Sequence, residues 1–142
     1  MTRDRRRAVA ILAAVAITGG LAGLVNALGG EFLADRGSQL WRLYTMNAFG
    51  GLVTIVGGLI GLGAFAMRSK VIAGLAGLIF LGVAGLTLTA LGQTYNLFGG
   101  RGSTVSFWLM LGIGFTALAA SPEVAGAAPL AGETRESQSQ AS

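Results

Sequence analysis

The chain of 142 residues contains no cysteine and no histidine. The lack of cysteine excludes disulfide bonds and thiolate chemistry, and the lack of both excludes most zinc sites and haem ligation by histidine. Charged residues are also scarce, at 11% of the chain against about 25% in an average soluble domain. Hydrophobic residues, in contrast, make up 53%. A short chain of this composition, with long uncharged runs, indicates a membrane protein with one domain.

Four apolar runs organise the sequence. A helix crosses the hydrocarbon of a bilayer in about 20 residues, and the runs predict transmembrane helices at about 8–28, 43–67, 71–91 and 104–120. We therefore predict an all-α, four-helix transmembrane bundle over residues 1–121. Pro122 ends the last run, and residues 122–142, which show no apolar periodicity, are predicted to be a disordered cytoplasmic tail. Part of the first loop, residues 29–42, is expected to lie flat on the membrane as a short helix.

The first run allows a second interpretation. An arginine-rich start, an apolar core and the Val25-x-Ala27 pattern, which resembles a cleavage site, are also typical of a secretory signal peptide. The run is long for the apolar core of a signal peptide, so a transmembrane helix is the preferred prediction.

Basic residues are distributed unevenly along the chain. The N-terminus, the turn at 68–70 and the tail together contain seven lysines and arginines, and the other two loops contain three. Lysine and arginine concentrate on the cytoplasmic side of membrane proteins, so both termini are predicted to be cytoplasmic. The basic residues behind the net charge of +4 are thus explained by their role in orienting the chain in the membrane, so no nucleic-acid partner is predicted.

No Asp, Glu, Lys, Arg or His lies within a predicted span. Proton pumps, ion-coupled carriers and voltage sensors usually keep ionisable groups inside the membrane. Intramembrane proteases need a nucleophile with its base, or paired carboxylates. The sequence therefore argues against an enzyme or an active pump, and no catalytic residue, metal site or cofactor is predicted.

Small residues recur four positions apart in three of the predicted helices. The pairs are Gly19–Gly23, Gly57–Gly61 and Ala73–Gly77. This spacing places both small residues on one helix face, where the backbone of a partner helix can approach closely. We predict that the pairs pack the helices of this bundle; the alternative is a face for another membrane protein.

The three asparagines of the chain share one pattern: Asn, then Ala or Leu, then Leu or Phe, then Gly-Gly. Asn26, Asn47 and Asn96 are predicted to lie toward the outer side, with Gln93 nearby. The preferred interpretation is that their amides cap helix ends while the glycines permit sharp turns. The alternative is a polar vestibule for a ligand. A phosphate loop is not predicted, because the Walker Lys-[Ser/Thr] and a preceding strand are missing.

One stretch resembles a known family. It is the run Met46-Asn47-Ala48-Phe49-Gly50-Gly51-Leu52-Val53-Thr54, continued by Gly58-Leu59-Ile60-Gly61-Leu62. The run is similar to the second helix of a bacterial four-helix membrane family called domain of unknown function 4383. The similarity covers roughly residues 8–120 and includes Asn96, which matches an Asn before the family's last helix, and Trp108, which matches a Trp early in that helix. It implies a four-helix bundle in a bacterial membrane. The family often has His where this chain has Gly50 and Thr54, so no His-dependent role is implied, and the family has no established activity to imply.

Together these features favour a small, non-enzymatic integral protein of the bacterial cytoplasmic (inner) membrane that packs within or beside a larger membrane assembly. Its expected partners are the lipid bilayer and other membrane protein subunits or further copies of itself. The second hypothesis is a small facilitator or ligand-binding protein, whose ligand enters a polar vestibule from the outer side. A wet cavity lined by asparagines would favour the second hypothesis, and a dry seam lined by glycines would favour the first.

Overall fold

A computed structural model of the chain describes residues 1–28, 38–40, 44–91, 93 and 96–122. Within these ranges the chain forms four long helices and one short hairpin. The elements are α1 (Arg3–Ala27), β1 (Ser38–Leu40), β2 (Tyr44–Met46), α2 (Ala48–Met67), α3 (Lys70–Thr89) and α4 (Gly102–Ala120). The predicted four-helix architecture is confirmed, and each of the helices is long and apolar enough to cross a membrane.

The chain before α2 differs from the sequence prediction. Ser38–Leu40 and Tyr44–Met46 pair as antiparallel strands, with Ser38 opposite Met46. Residues 38–40 therefore do not belong to the short interfacial helix that was expected in part of the loop at 29–42. Residues 29–37 and 41–42, where that helix could otherwise fall, lie outside the described residues. The second helix begins at Ala48 rather than near Leu43, because Asn47 caps it directly after β2. The predicted disordered tail, beyond Pro122, also lies outside the described residues.

A tight turn joins α2 to α3. Arg68 adopts the left-handed conformation, with φ 54°, and its N–H bonds the carbonyl oxygens of Ala64 and Phe65 at the end of α2. Ser69 then caps α3, because its hydroxyl oxygen accepts a hydrogen bond from the N–H of Ile72 at 3.3 Å. Left-handed residues commonly end helices and serine is a favoured N-cap, so the sequence Arg-Ser-Lys reverses the chain locally.

The helices pack mainly as two antiparallel pairs, α1 with α2 and α3 with α4. At one end of the bundle, Nη2 of Arg5 donates to the Pro122 carbonyl oxygen at 3.0 Å, and the Arg6 guanidinium lies 4.8 Å from the centre of the Phe65 ring. The start of α1 therefore lies beside the ends of α2 and α4. We call this the basic end, because the charged residues described there are Arg3, Asp4, Arg5, Arg6, Arg7, Arg68 and Lys70. The opposite end carries β1, β2 and residues 96–101, and we call it the hairpin end.

Small residues and a few aromatic rings fill the interior, and large aliphatic side chains project outward. Trp108, Phe80 and Phe115 are fully buried, whereas Ile11 and Leu78 are each 63% exposed. The buried polar residues are Thr45, Asn47, Thr54, Thr87, Asn96 and Thr104. The helices thus present their apolar side chains to the surroundings and keep several polar groups inside.

Candidate functional site at the hairpin end

Asn47 connects the start of α2 to the loop that precedes α4. Its Oδ1 accepts the N–H of Gly50 at 2.8 Å, which caps the helix. Its Nδ2 donates to the carbonyl oxygen of Leu97 at 2.8 Å, and its backbone N–H donates to that of Phe98 at 3.0 Å. The side chain is 1% exposed. One buried amide therefore satisfies a helix end and also holds a loop fifty residues further along the chain.

The hydrogen bonds continue from α2 into α4. The hydroxyl of Thr54 donates to the Gly50 carbonyl oxygen at 2.7 Å, one turn back in the helix. The same hydroxyl oxygen accepts the indole N–H of Trp108 at 2.8 Å. Thr54 and Trp108 are both fully buried, so this bond satisfies an indole donor that has no access to solvent. A continuous chain of bonds thus links α4, α2 and the loop at residues 97–98.

A second group of bonds joins the hairpin to α4. The Thr104 hydroxyl oxygen accepts the N–H of Thr45 at 3.1 Å and the N–H of Arg101 at 3.4 Å, and the hydroxyl donates to the Thr45 carbonyl oxygen. Asn96 donates from Nδ2 to the Gly100 carbonyl oxygen at 2.8 Å. This bond closes the tight turn that contains Gly99, whose φ of 58° favours glycine.

Within the described part of the chain, two oxygens of this cluster make no hydrogen bond. They are Oγ1 of Thr45 and Oδ1 of Asn96, both buried. Thr45 is 3% exposed and Asn96 is 5% exposed. An unsatisfied buried acceptor costs about 1–3 kcal/mol, so each of these two oxygens lowers the stability of the folded cluster.

Aromatic rings cover the hydrogen-bonded cluster. The Phe49 and Phe98 rings stack with their centres 5.5 Å apart, and Phe98 meets Trp108 edge to face at the same separation. Gly50 lies beneath the loop, since a Cβ atom there would lie 2.8 Å from the Phe98 carbonyl oxygen. A side chain at position 50, such as the His found in the resembled family, does not fit this packing.

The structure brings together only two of the four predicted outer polar residues. Asn47 and Asn96 are buried at the hairpin end, whereas Asn26 and Gln93 are exposed. The shared asparagine pattern also adopts different local structures. Asn26 lies in the last turn of α1, Asn47 caps the start of α2, and Asn96 opens a turn. The pattern is therefore not one repeated structural element.

The predicted small-residue pairs all belong to helices that pack closely, but their contacts vary. A Cβ atom at Gly57 would lie 2.7 Å from Cζ of Phe80, and one at Gly61 would lie 2.6 Å from Cζ of Phe115. These two rings stack with centres 6.0 Å apart. The Gly57–Gly61 pair thus packs against two aromatic rings. The spacing had predicted contact with the backbone of a partner helix instead.

The other predicted small residues lie in different surroundings. A Cβ atom at Gly77 would lie 2.8 Å from the Thr116 backbone nitrogen, which is the close backbone approach that the spacing predicts. Ala73, one turn earlier, is buried. Gly23 packs instead against the Met46 side chain of β2. Gly19 is half-buried on α1.

Sequence reasoning missed the glycines of the α1–α2 crossing and the threonines. Gly20 and Gly51 form the α1–α2 crossing, where a Cβ atom at Gly20 would lie 2.8 Å from the Gly51 carbonyl oxygen. Thr54 and Thr104 carry the hydrogen bonds between elements. Threonines inside otherwise apolar helices were the available signal, because buried hydroxyls commonly bond neighbouring helices in membrane proteins.

The buried side chains that the structure describes in this cluster include no titratable group. The polar members of the cluster are asparagine, threonine and tryptophan. Across the described residues, no group of three or more His, Cys, Asp or Glu side chains is placed to hold a metal ion. A cavity of about 130 Å³ lies nearby, lined by Leu86, Thr89, Ala90, Leu97 and Phe98. No known protein family, curated protein or solved structure matches the chain.

Proposed function

We propose that this chain is a small, non-enzymatic integral membrane protein that packs within or beside a larger membrane assembly. The membrane setting is supported by the surfaces of the helices. Val71 is 82% exposed, Leu86 63% and Ile113 59%, and water would solvate such surfaces poorly. The charged residues described all lie at the helix ends or outside the helices.

The proposed orientation places the basic end in the cytoplasm of a bacterium and the hairpin end outside the inner membrane. Among the described residues, six basic and one acidic residue lie at the basic end, and one charged residue, Arg101, lies at the hairpin end. Such an excess of Lys and Arg favours retention on the cytoplasmic side.

The observation that carries the non-enzymatic role is the way the buried polar groups are used. Asn47, Thr54, Thr104 and Trp108 direct their side-chain donors to other groups of the same bundle. These bonds fix the loop, the hairpin and α4 against α2. They therefore support a structural role for the hairpin end and leave few polar atoms for a substrate.

Partner identification tests this proposal. The tagged chain is purified from its native membrane in mild detergent, and co-purifying proteins are identified by mass spectrometry. We expect a specific membrane protein in stoichiometric amount, or a defined homo-oligomer. A chain that purifies as a monomer with no partner would contradict the accessory role.

A facilitator with an outer polar vestibule is the second candidate. The observation that favours it is the pair of unbonded buried oxygens on Thr45 and Asn96, which could accept bonds from a small neutral solute. Proteoliposomes that contain the chain would then admit urea or glycerol faster than empty liposomes. Equal rates would remove this candidate.

A further inference from the structure

An apolar groove runs between α3 and α4 and starts at the basic end. Its volume is about 440 Å³, and it is lined by Lys70, Val71, Gly74, Leu78, Thr116, Ala119 and Ala120. The groove exists because small residues face one another. A Cβ atom at Gly74 would lie 3.4 Å from the Cβ of Ala119, and no other atom of the described residues outside the adjacent α3 backbone would lie within 4 Å of it.

The wall of the groove has little capacity for hydrogen bonding. The hydroxyl of Thr116 donates to the Gly112 carbonyl oxygen at 2.7 Å and is therefore already bonded within α4. Val71 and Leu78 project along the rim, at 82% and 63% exposure. A hydrocarbon chain matches this wall better than a polar peptide does.

The length and the charge of the groove suit one lipid in one leaflet. From Lys70 to Leu78 a helix rises about 12 Å, close to the ~15 Å of hydrocarbon in half a bilayer. Lys70 lies at the mouth of the groove, in the end of the bundle where basic residues predominate. Basic pockets between transmembrane helices on the cytoplasmic side are typical sites for anionic lipid headgroups.

We propose that this groove binds an anionic phospholipid of the cytoplasmic leaflet, with an acyl chain between α3 and α4 and the phosphate near Lys70. This inference rests on the proposed membrane setting. The lipid fills the space left by Gly74 and Ala119, so it acts as a packing element of the α3–α4 pair. Its specificity comes from the positive charge at the mouth, and its position comes from the apolar wall.

The test is native mass spectrometry of the full chain, released from nanodiscs that contain phosphatidylglycerol and phosphatidylcholine in equal amounts. We expect one phosphatidylglycerol to be retained in preference to phosphatidylcholine. Gly74→Leu, which fills the groove, should abolish the preference. Lys70→Gln should reduce it about fivefold, the effect of one basic residue near a membrane surface.

Two matched variants serve as controls. Gly82→Leu adds the same side chain to α3 at a position where a Cβ atom would meet nothing within 4 Å. Arg3→Gln removes one charge from the basic end at an exposed position outside the groove. Both should retain the lipid preference of the original chain. Equal losses in the variants and their controls would contradict a site in the groove, as would equal retention of the two lipids.

Two further results would separate failure of the lipid proposal from failure of the proposed membrane setting. Displacement of the lipid by excess inorganic phosphate would assign a simple anion site and overturn the lipid proposal. Extraction of the chain from membranes by alkaline carbonate would contradict the membrane setting itself. A chain that resists carbonate but shows no lipid preference would overturn the groove proposal alone.

Discussion

At the scale of single residues, Asn47 joins the start of α2 to the loop before α4 at the hairpin end. Its side chain caps α2 through Gly50 and holds the loop through Leu97. The cap alone is worth about 0.5–2 kcal/mol. The second bond adds to this, because its loss leaves a part-buried carbonyl oxygen without its donor.

We expect Asn47→Ala to lower the free energy of unfolding by about 1–3 kcal/mol, as both bonds are lost. Asn26→Ala is the matched control, because Asn26 is exposed and its change should cost less than about 0.5 kcal/mol. Thermal unfolding in detergent, followed by circular dichroism, measures both. A normally stable Asn47→Ala protein that fails to bind its partner would overturn the structural role and make this residue part of a binding site.

Asn47→Asp separates the two bonds of this side chain. From the cap alone, Asp should be partly tolerated, since its oxygen also accepts a backbone N–H. The structure adds the donor bond to Leu97, which a carboxylate does not make. We therefore expect Asp to recover little of the stability that Ala loses. Recovery to the stability of the original chain would show that the Leu97 bond contributes nothing.

Thr54 offers an independent test of the buried chain of hydrogen bonds. Thr54→Val keeps the shape of the side chain but leaves the Trp108 indole N–H buried without an acceptor. We expect a loss of about 1–3 kcal/mol in the free energy of unfolding. Thr89→Val is the control, because the Thr89 hydroxyl is exposed and bonds only within its own helix. Equal effects at the two positions would contradict the proposed importance of the Trp108 bond.

The sequence allowed part of this site to be predicted. Asn before a long apolar run is a recognisable helix cap, and Asn47 has that role. Its bond to Leu97 was not predictable, because no local pattern relates residues fifty positions apart. Asn26 carries the same surrounding pattern but lies inside the last turn of a helix, where it is exposed. Local sequence therefore indicated a polar role, and tertiary packing decided which asparagines took it.

At the scale of elements, two kinds of glycine contact hold the helices together. At the α1–α2 crossing, backbone meets backbone: a Cβ atom at Gly51 would lie 2.8 Å from the nitrogen of Leu24. At Gly61 it would meet the ring of Phe115 instead. A ring can shift by small rotations, whereas two packed helix backbones must separate. The two contacts should therefore differ in their tolerance of added volume.

We expect Gly51→Ala to cost about 1–3 kcal/mol and Gly61→Ala to cost less. Gly63→Ala is the control on the same helix, since a Cβ atom there meets nothing within 4 Å, and it should be neutral or stabilising. Thermal unfolding in detergent measures the order of stability of the three variants. Equal stability of all three variants would mean that close glycine packing is incidental.

The positions of the helices followed from hydropathy, but the hairpin did not. Runs of about 20 apolar residues admit few alternatives to a helix, so the bounds of all four helices were predictable to within five residues. Residues 44–46 extend the second apolar run without a break, and three residues are too few to distinguish strand from helix by periodicity. Their pairing with residues 38–40 therefore required the structure.

At the scale of the whole molecule, polar groups lie inside the bundle and aliphatic side chains lie outside. Thr54, Thr87 and Thr104 are fully buried, whereas Leu59 and Leu78 are more than half exposed. This arrangement is suited to hydrocarbon surroundings, where polar side chains are more stable against each other than against lipid. The charge asymmetry between the two ends favours the proposed orientation.

Cysteine accessibility in whole cells tests the orientation most directly. Single cysteines replace Ser38 in β1, Ser103 in the first turn of α4 and Ser69 between α2 and α3. The chain contains no cysteine of its own, so each label reports one position. An impermeant thiol reagent should label the first two in intact cells and the third only after permeabilisation. Labelling of Ser69→Cys in intact cells, with Ser38→Cys and Ser103→Cys protected, would contradict the proposed membrane bundle with both termini in the cytoplasm.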